Sequence, residues 1–83
     1  MIPRIKSVRT MENFVLDVVF EDGARVFYDL HDDMNTLPDY DGLKKIEGLY
    51  KNVRLDESRT CVYWNEQIDL PSDTIYEYGK RLA

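Results

Sequence analysis

The alternation over residues 14–30 constrains the fold most. Phe14, Leu16, Val18 and Phe20 fall on one face of an extended chain, and Val15, Asp17 and Val19 on the other. Glu21-Asp22-Gly23 follows, after which Ala24, Val26, Tyr28 and Leu30 alternate with Arg25, Phe27 and Asp29. Asp-Gly between two β-rich runs is a strong hairpin signal, because glycine accepts a positive φ at no steric cost. Residues 14–30 are therefore predicted to form a β-hairpin. Residues 2–8, with Pro3 and isolated apolar side chains, are expected to add an edge strand.

The rest of the chain reads as two further units. Residues 31–42 hold His31, Asp32, Asp33, Asn35, Pro38, Asp39, Asp41 and Gly42, a polar connection with helix-start chemistry at its end. Leu43, Ile46, Leu49 and Tyr50 then form one helical stripe, which Asp39 or Asp41 can cap and which Gly48 weakens by about 1 kcal/mol relative to alanine. A second hairpin follows, with Val53 and Leu55 on its first strand, a turn at Asp56-Glu57-Ser58-Arg59, and a return over residues 60–64. Thr60, Val62 and Trp64 share one face of that return, and Cys61 and Tyr63 the other. Pro71 suits the first turn of a final helix whose inner stripe is Ile75, Tyr78 and Leu82. Asp73 and Glu77 precede Lys80 and Arg81, as the helix dipole favours, and Glu77 and Arg81 stand at i,i+4. The expected architecture is α+β, a mostly antiparallel sheet in the order β-ββ-α-ββ-α with two helices packed on one face. Residues 1–83 are read as one domain.

Composition narrows the function classes. One cysteine, Cys61, excludes an intrachain disulfide and a cysteine-based zinc site. No apolar run reaches the length of a membrane span, and no apolar core of a signal peptide is seen, so a soluble cytoplasmic protein is expected. The net charge of −5 is unevenly spread: residues 1–10 carry Arg4, Lys6 and Arg9 and no acid, while residues 11–43 carry nine acids and only Arg25. An acidic middle argues against a general nucleic-acid surface, which needs clustered Lys and Arg. It suits a basic partner, or simply a solvated face.

In the order and spacing of its pieces the chain resembles the bacterial family known as domain of unknown function 2442. The pieces are Phe20-Glu21-Asp22-Gly23, then Asp29-Leu30, then Tyr50-Lys51-Asn52-Val53-Arg54-Leu55-Asp56, then Trp64. The last is Asp69-Leu70-Pro71-Ser72-Asp73-Thr74-Ile75-Tyr76. Where family members often carry a Pro-Asn-Gly-like turn after the Trp, this chain has Asn65-Glu66-Gln67, and its helix proline stands one position early. The resemblance implies an α+β fold and no established activity. Some members carry an added helix-turn-helix domain, for which no room is expected after residue 83. Others stand beside small toxin-like genes, which implies a toxin–antitoxin-type setting.

Candidate sites divide into four groups. Trp64, Asp69 and Tyr76 can line a recognition surface, since Trp and Tyr are frequent interface anchors. Equally, Trp64 can cover the core, Asp69 can accept a helix-start N–H and Tyr76 can pack on the sheet. Asp32, Asp33, Asp39 and Asp41 can dock a basic partner, or can serve as caps in a solvated loop. They lack the D-x-D-x-D-G order of a calcium loop, and His31 lacks a second histidine at ligand spacing, so no metal or cofactor is expected. Cys61 and His31 are the one nucleophile–base pair available, with Cys61 in a position that suits a small buried hydrophobe. Arg4, Lys6 and Arg9 read as edge protection, with too little charge for nucleic acid. The leading reading is a non-enzymatic protein-interaction module, the neutralising partner in a toxin–antitoxin-like pair. The alternative is a self-associating, homodimeric structural domain without a ligand; the remote alternative is a small enzyme.

Overall fold

The computed structural model describes residues 2–82. Its first sheet has four antiparallel strands in the order β1-β2-β3-β7, formed by Ile5–Met11 (β1), Val15–Phe20 (β2), Arg25–Asp29 (β3) and Lys80–Arg81 (β7). A second antiparallel sheet contains Arg54–Leu55 (β4), Cys61–Tyr63 (β5) and Asp69–Pro71 (β6) in that order. Three helices, His31–Thr36 (α1), Gly42–Lys45 (α2) and Ser72–Tyr78 (α3), complete the α+β architecture.

The alternation of the hairpin residues builds the core. Leu16, Val18 and Phe20 on β2 and Val26 and Tyr28 on β3 are buried on the inner face of the first sheet. Val62 and Leu70 from the second sheet and Trp64 and Ile68 from the turn between β5 and β6 pack into the same cluster, as do Met34, Tyr40, Leu43 and Ile75. The two sheets are also stapled directly. The Ile5 N–H donates to the Arg59 carbonyl at 2.7 Å, and the Arg59 guanidinium returns a bond to the Lys6 carbonyl at 3.0 Å. Ser72, fully buried at the start of α3, donates its hydroxyl to the Pro3 carbonyl at 2.6 Å.

Several elements depart from the sequence reading. Phe14 belongs to a tight turn at Glu12–Phe14 between β1 and β2, where Asn13 and Phe14 take positive φ, and not to the strand face it was expected to share. That turn is braced by Tyr50, whose single hydroxyl proton is shared between the Met11 and Val15 carbonyls at 2.6 and 2.9 Å. The segment read as a polar connection contains α1. Its first N–H, on His31, donates to the Asp29 carboxylate at 2.9 Å, and Met34 anchors it in the core. The helix expected over Leu43, Ile46, Leu49 and Tyr50 is a single turn: Ile46 already has extended geometry and is 53% exposed, and Gly48 has φ +79°. Neither Asp39 nor Asp41 supplies a side-chain cap to it.

At the end of the chain, Pro71 closes β6 and the helix begins at Ser72. Its inward side chains are Ser72 and Ile75, whereas Tyr78 is 74% exposed and Leu82 lies beyond β7. Arg81 sits over the Tyr76 ring at 4.3 Å, in a strand, instead of facing Glu77 along a helix. Gly79 makes this switch from helix to strand sterically feasible: a Cβ there would lie 2.2 Å from Val26 Cγ1 and 2.7 Å from the Ile75 carbonyl.

Candidate functional site

A cleft of about 370 Å³ lies where α1, the Pro38–Asp41 turn, β6 and α3 meet. Asp33, Asp39 and Asp69, three of the expected docking residues, line it together. The chain brings them there by separate devices. Asp33 is on α1, where the buried Tyr28 of β3 donates its hydroxyl to the carboxylate at 2.7 Å. Asp39 follows Pro38 in the turn and is exposed. Asp69 opens β6, and its carbonyl accepts the hydroxyl of Tyr40, which ties the turn to the second sheet across 29 residues.

The wall between these carboxylates is apolar. Leu37, 45% exposed, and Pro38 face Leu70 and Pro71 across the cleft. Burial pushes the hydroxyls of Tyr28 and Tyr40 well above the ordinary tyrosine range. For Tyr28 the hydrogen bond to Asp33 adds to that rise, and for Tyr40 the negative field of Asp33 and Asp69 does so. Both tyrosines therefore stay protonated as donors, Tyr28 holding the Asp33 carboxylate and Tyr40 the main chain at Asp69. The cleft offers three carboxylates, Asp33 held by Tyr28, beside aliphatic carbon, which complements a lysine or arginine side chain with its apolar stem.

The other expected site residues lie elsewhere. Asp41 pairs with Lys45 at 3.3 Å on one helical turn. Asp32 is exposed on α1 beside Asp29 and Tyr78, outside the cleft. Tyr76 donates to Asp22 at 2.6 Å and packs edge-on against Phe20 at 4.8 Å. Of the two readings of Trp64 the core-covering one holds: it is 5% exposed, and its indole N–H donates to the Tyr50 carbonyl at 2.9 Å. A ring this deeply buried and bonded through its polar atom presents little area to a partner.

Cys61 and His31 have separate environments. The Cys61 thiol donates to the Val62 carbonyl at 3.4 Å, and burial pushes its pKa up, away from the nucleophilic thiolate. His31 pairs with Asp29 at 2.5 Å and meets Phe14 edge-on. Among the described residues no group of three or more His, Cys, Asp or Glu side chains is placed to hold a metal ion. None of the described helices is long and apolar enough to cross a membrane.

Sequence reasoning missed Tyr28, Tyr40 and Leu37 as parts of this site. Tyr28 carried a signal, since it occupies the inner strand face five residues before Asp33; the pairing of Tyr40 with Asp69 had none, because it is purely tertiary. Asn65 accepts the N–H groups of Gln67 and Ile68, both at 2.9 Å, and so makes the turn that follows Trp64.

Residues 5–81 match the family described as protein of unknown function DUF2442, and the chain belongs to that family. No curated protein and no solved structure matches the chain.

Proposed function

We propose that this DUF2442 protein is a non-enzymatic interaction module that docks a basic protein surface on its acidic cleft, as the neutralising half of a toxin–antitoxin-like pair. The observation that carries this reading is the convergence of Asp33, Asp39 and Asp69 on one cleft with an apolar wall. The three come from residues separated by a helix, a turn and a whole hairpin, yet two of their anchoring elements are joined by the Tyr40 bond to β6. Fixed charge of one sign steers encounter with an oppositely charged partner, and the apolar wall lengthens the life of the complex once water is expelled.

The test is affinity capture of the tagged chain from its source cells, in parallel with an Asp39→Lys/Asp69→Lys variant. Both positions are exposed, so the fold tolerates the change. The expected result is one stoichiometric basic protein on the native chain, released by salt and lost from the variant. Equal capture by both chains would remove the cleft from the reading. Growth inhibition by the captured protein, relieved by the native chain alone, is the expected result for the neutralising role. A captured protein without any such effect would leave a docking module of another kind.

A further inference from the structure

The face of the first sheet turned away from the core is open. Register places Ser7, Val19 and Arg25 in one row across it, Arg9, Asp17, Phe27 and Lys80 in a second, and Met11, Val15 and Asp29 in a third. All of these are exposed or half-buried except Asp17, which is 3% exposed although it points to the solvent side. Two arginines enclose it. Arg9 Nη2 donates to Asp17 at 2.7 Å, and Arg25 donates through Nε and Nη2 at 3.1 and 3.0 Å. Asp17 is held below the usual carboxylate range by Arg25 first and Arg9 second, so it remains a charged clamp.

This arrangement fixes two guanidinium groups and leaves much of their donor capacity free. Among the described residues Asp17 is the one acceptor that either of them meets, and the two side chains are 72% and 46% exposed. A guanidinium has five N–H donors, so each presents unused N–H groups outward in an orientation already set. Lys80 adds a third cation to the face, and the remaining carboxylate, Asp29, is engaged by His31. Val15, Val19 and Phe27 supply a half-buried apolar floor between them. Beside Phe27, a cavity of about 260 Å³ opens against Lys80 and the exposed ring of Tyr78, and Asp29 and Asp32 line it too.

We propose that this open sheet face binds an acidic segment of a protein partner, with carboxylates on Arg9 and Arg25 and a neighbouring apolar side chain between Phe27 and Tyr78. Charge complementarity selects the occupant. Orphan guanidinium donors match carboxylates in a bidentate manner, and the mixture of cations with aliphatic floor matches a segment that alternates acidic and apolar residues. A nucleic acid fits less well. Asp29 and Asp32 line the cavity beside Phe27, where a continuous phosphate backbone would have to pass, whereas an alternating segment places an uncharged side chain there. The site is separate from the acidic cleft and would take a partner of the opposite charge.

The test is titration of the isotope-labelled full chain with a short peptide that alternates glutamate and leucine, followed by amide shifts. A matched lysine–leucine peptide and an oligothymidine serve as competitors. Shifts confined to β1–β3 and to Tyr78 are expected, with binding weakened about tenfold in Arg9→Gln and in Tyr78→Ala. Both residues are exposed, and Arg9→Gln leaves the two bonds from Arg25 to Asp17 in place. An Asp39→Asn chain is expected to bind as the native chain does. No binding, shifts that map to the cleft, or unchanged binding in both variants would overturn the proposal. Tighter binding of oligothymidine on the same face would overturn it in favour of a nucleic-acid surface.

Discussion

Trp64 and Asp17 show how single side chains set the limits of this fold. Trp64 is the one tryptophan, and its ring is enclosed while its N–H satisfies the Tyr50 carbonyl. Trp64→Phe leaves that carbonyl unpaired and a void beside it, for an expected loss of about 2 kcal/mol in urea unfolding. The native indole is expected to emit in the blue and to shift red only when the chain unfolds. Asp17 makes a prediction about acid. Its folded pKa lies below the unfolded value, so its contribution is fully present above that unfolded value, and is lost as pH falls through the folded one. Asp29 and Asp56 are shifted in the same direction, Asp29 by the backbone N–H and ring of His31 and Asp56 chiefly by the Ser58 hydroxyl. Stability measured by denaturant midpoint should therefore decline below about pH 4. In Asp17→Asn the decline should be shallower but still present.

The short elements carry the sharpest steric demands. Gly79→Ala places a methyl group on Val26 and on the Ile75 carbonyl, so α3 must move off β3. A loss of about 1–3 kcal/mol is expected in the unfolding free energy. Replacing Gly48 by alanine meets no neighbour, but the positive φ there makes the substitution strained all the same. These positions also show what could be read in advance. The β2–β3 hairpin was legible because five- and six-residue strands display a period of two, and Asp-Gly marks their turn. Strands of two or three residues, as in β4, β6 and β7, are too short to display any period. Leu43, Ile46, Leu49 and Tyr50 have helical spacing, yet Gly48 turns the chain before a second helical turn forms. Helix α1 was hidden because its polar sequence gains its place from Asp29 and Met34 and not from an apolar stripe. Of the candidate site, the acids were legible by composition, while their assembly into one cleft depends on Tyr28 and Tyr40.

Taken as a whole, the protein separates its charges. The inner layer ends in a cleft with three carboxylates, and the outer sheet face carries three cations around a neutralised Asp17. The two surfaces share no residue, so their substitutions should act independently. Asp39→Lys/Asp69→Lys combined with Arg9→Gln is expected to lose both binding activities, each to the same extent as in the separate variants. An interaction between the two losses, seen in a double-mutant cycle, would mean that one partner spans both surfaces.

The staple between β1 and the far end of the chain has a consequence for the order of folding. Arg4 reaches Ser58, Ile5 reaches Arg59 and Pro3 accepts from Ser72, so the opening strand is sealed by groups 54 and 69 residues later. Contacts this distant impose a large loop-closure entropy and come late. On the ribosome, β1 can pair with β2 early, but its start at Ile5 and Lys6 lacks its far partners until residues 58–72 have emerged. Through that interval Lys6 and Arg9 on β1, with Arg4 just before it, put charge along a strand edge that would otherwise recruit another nascent chain. Their value to the protein is greatest before it has finished folding.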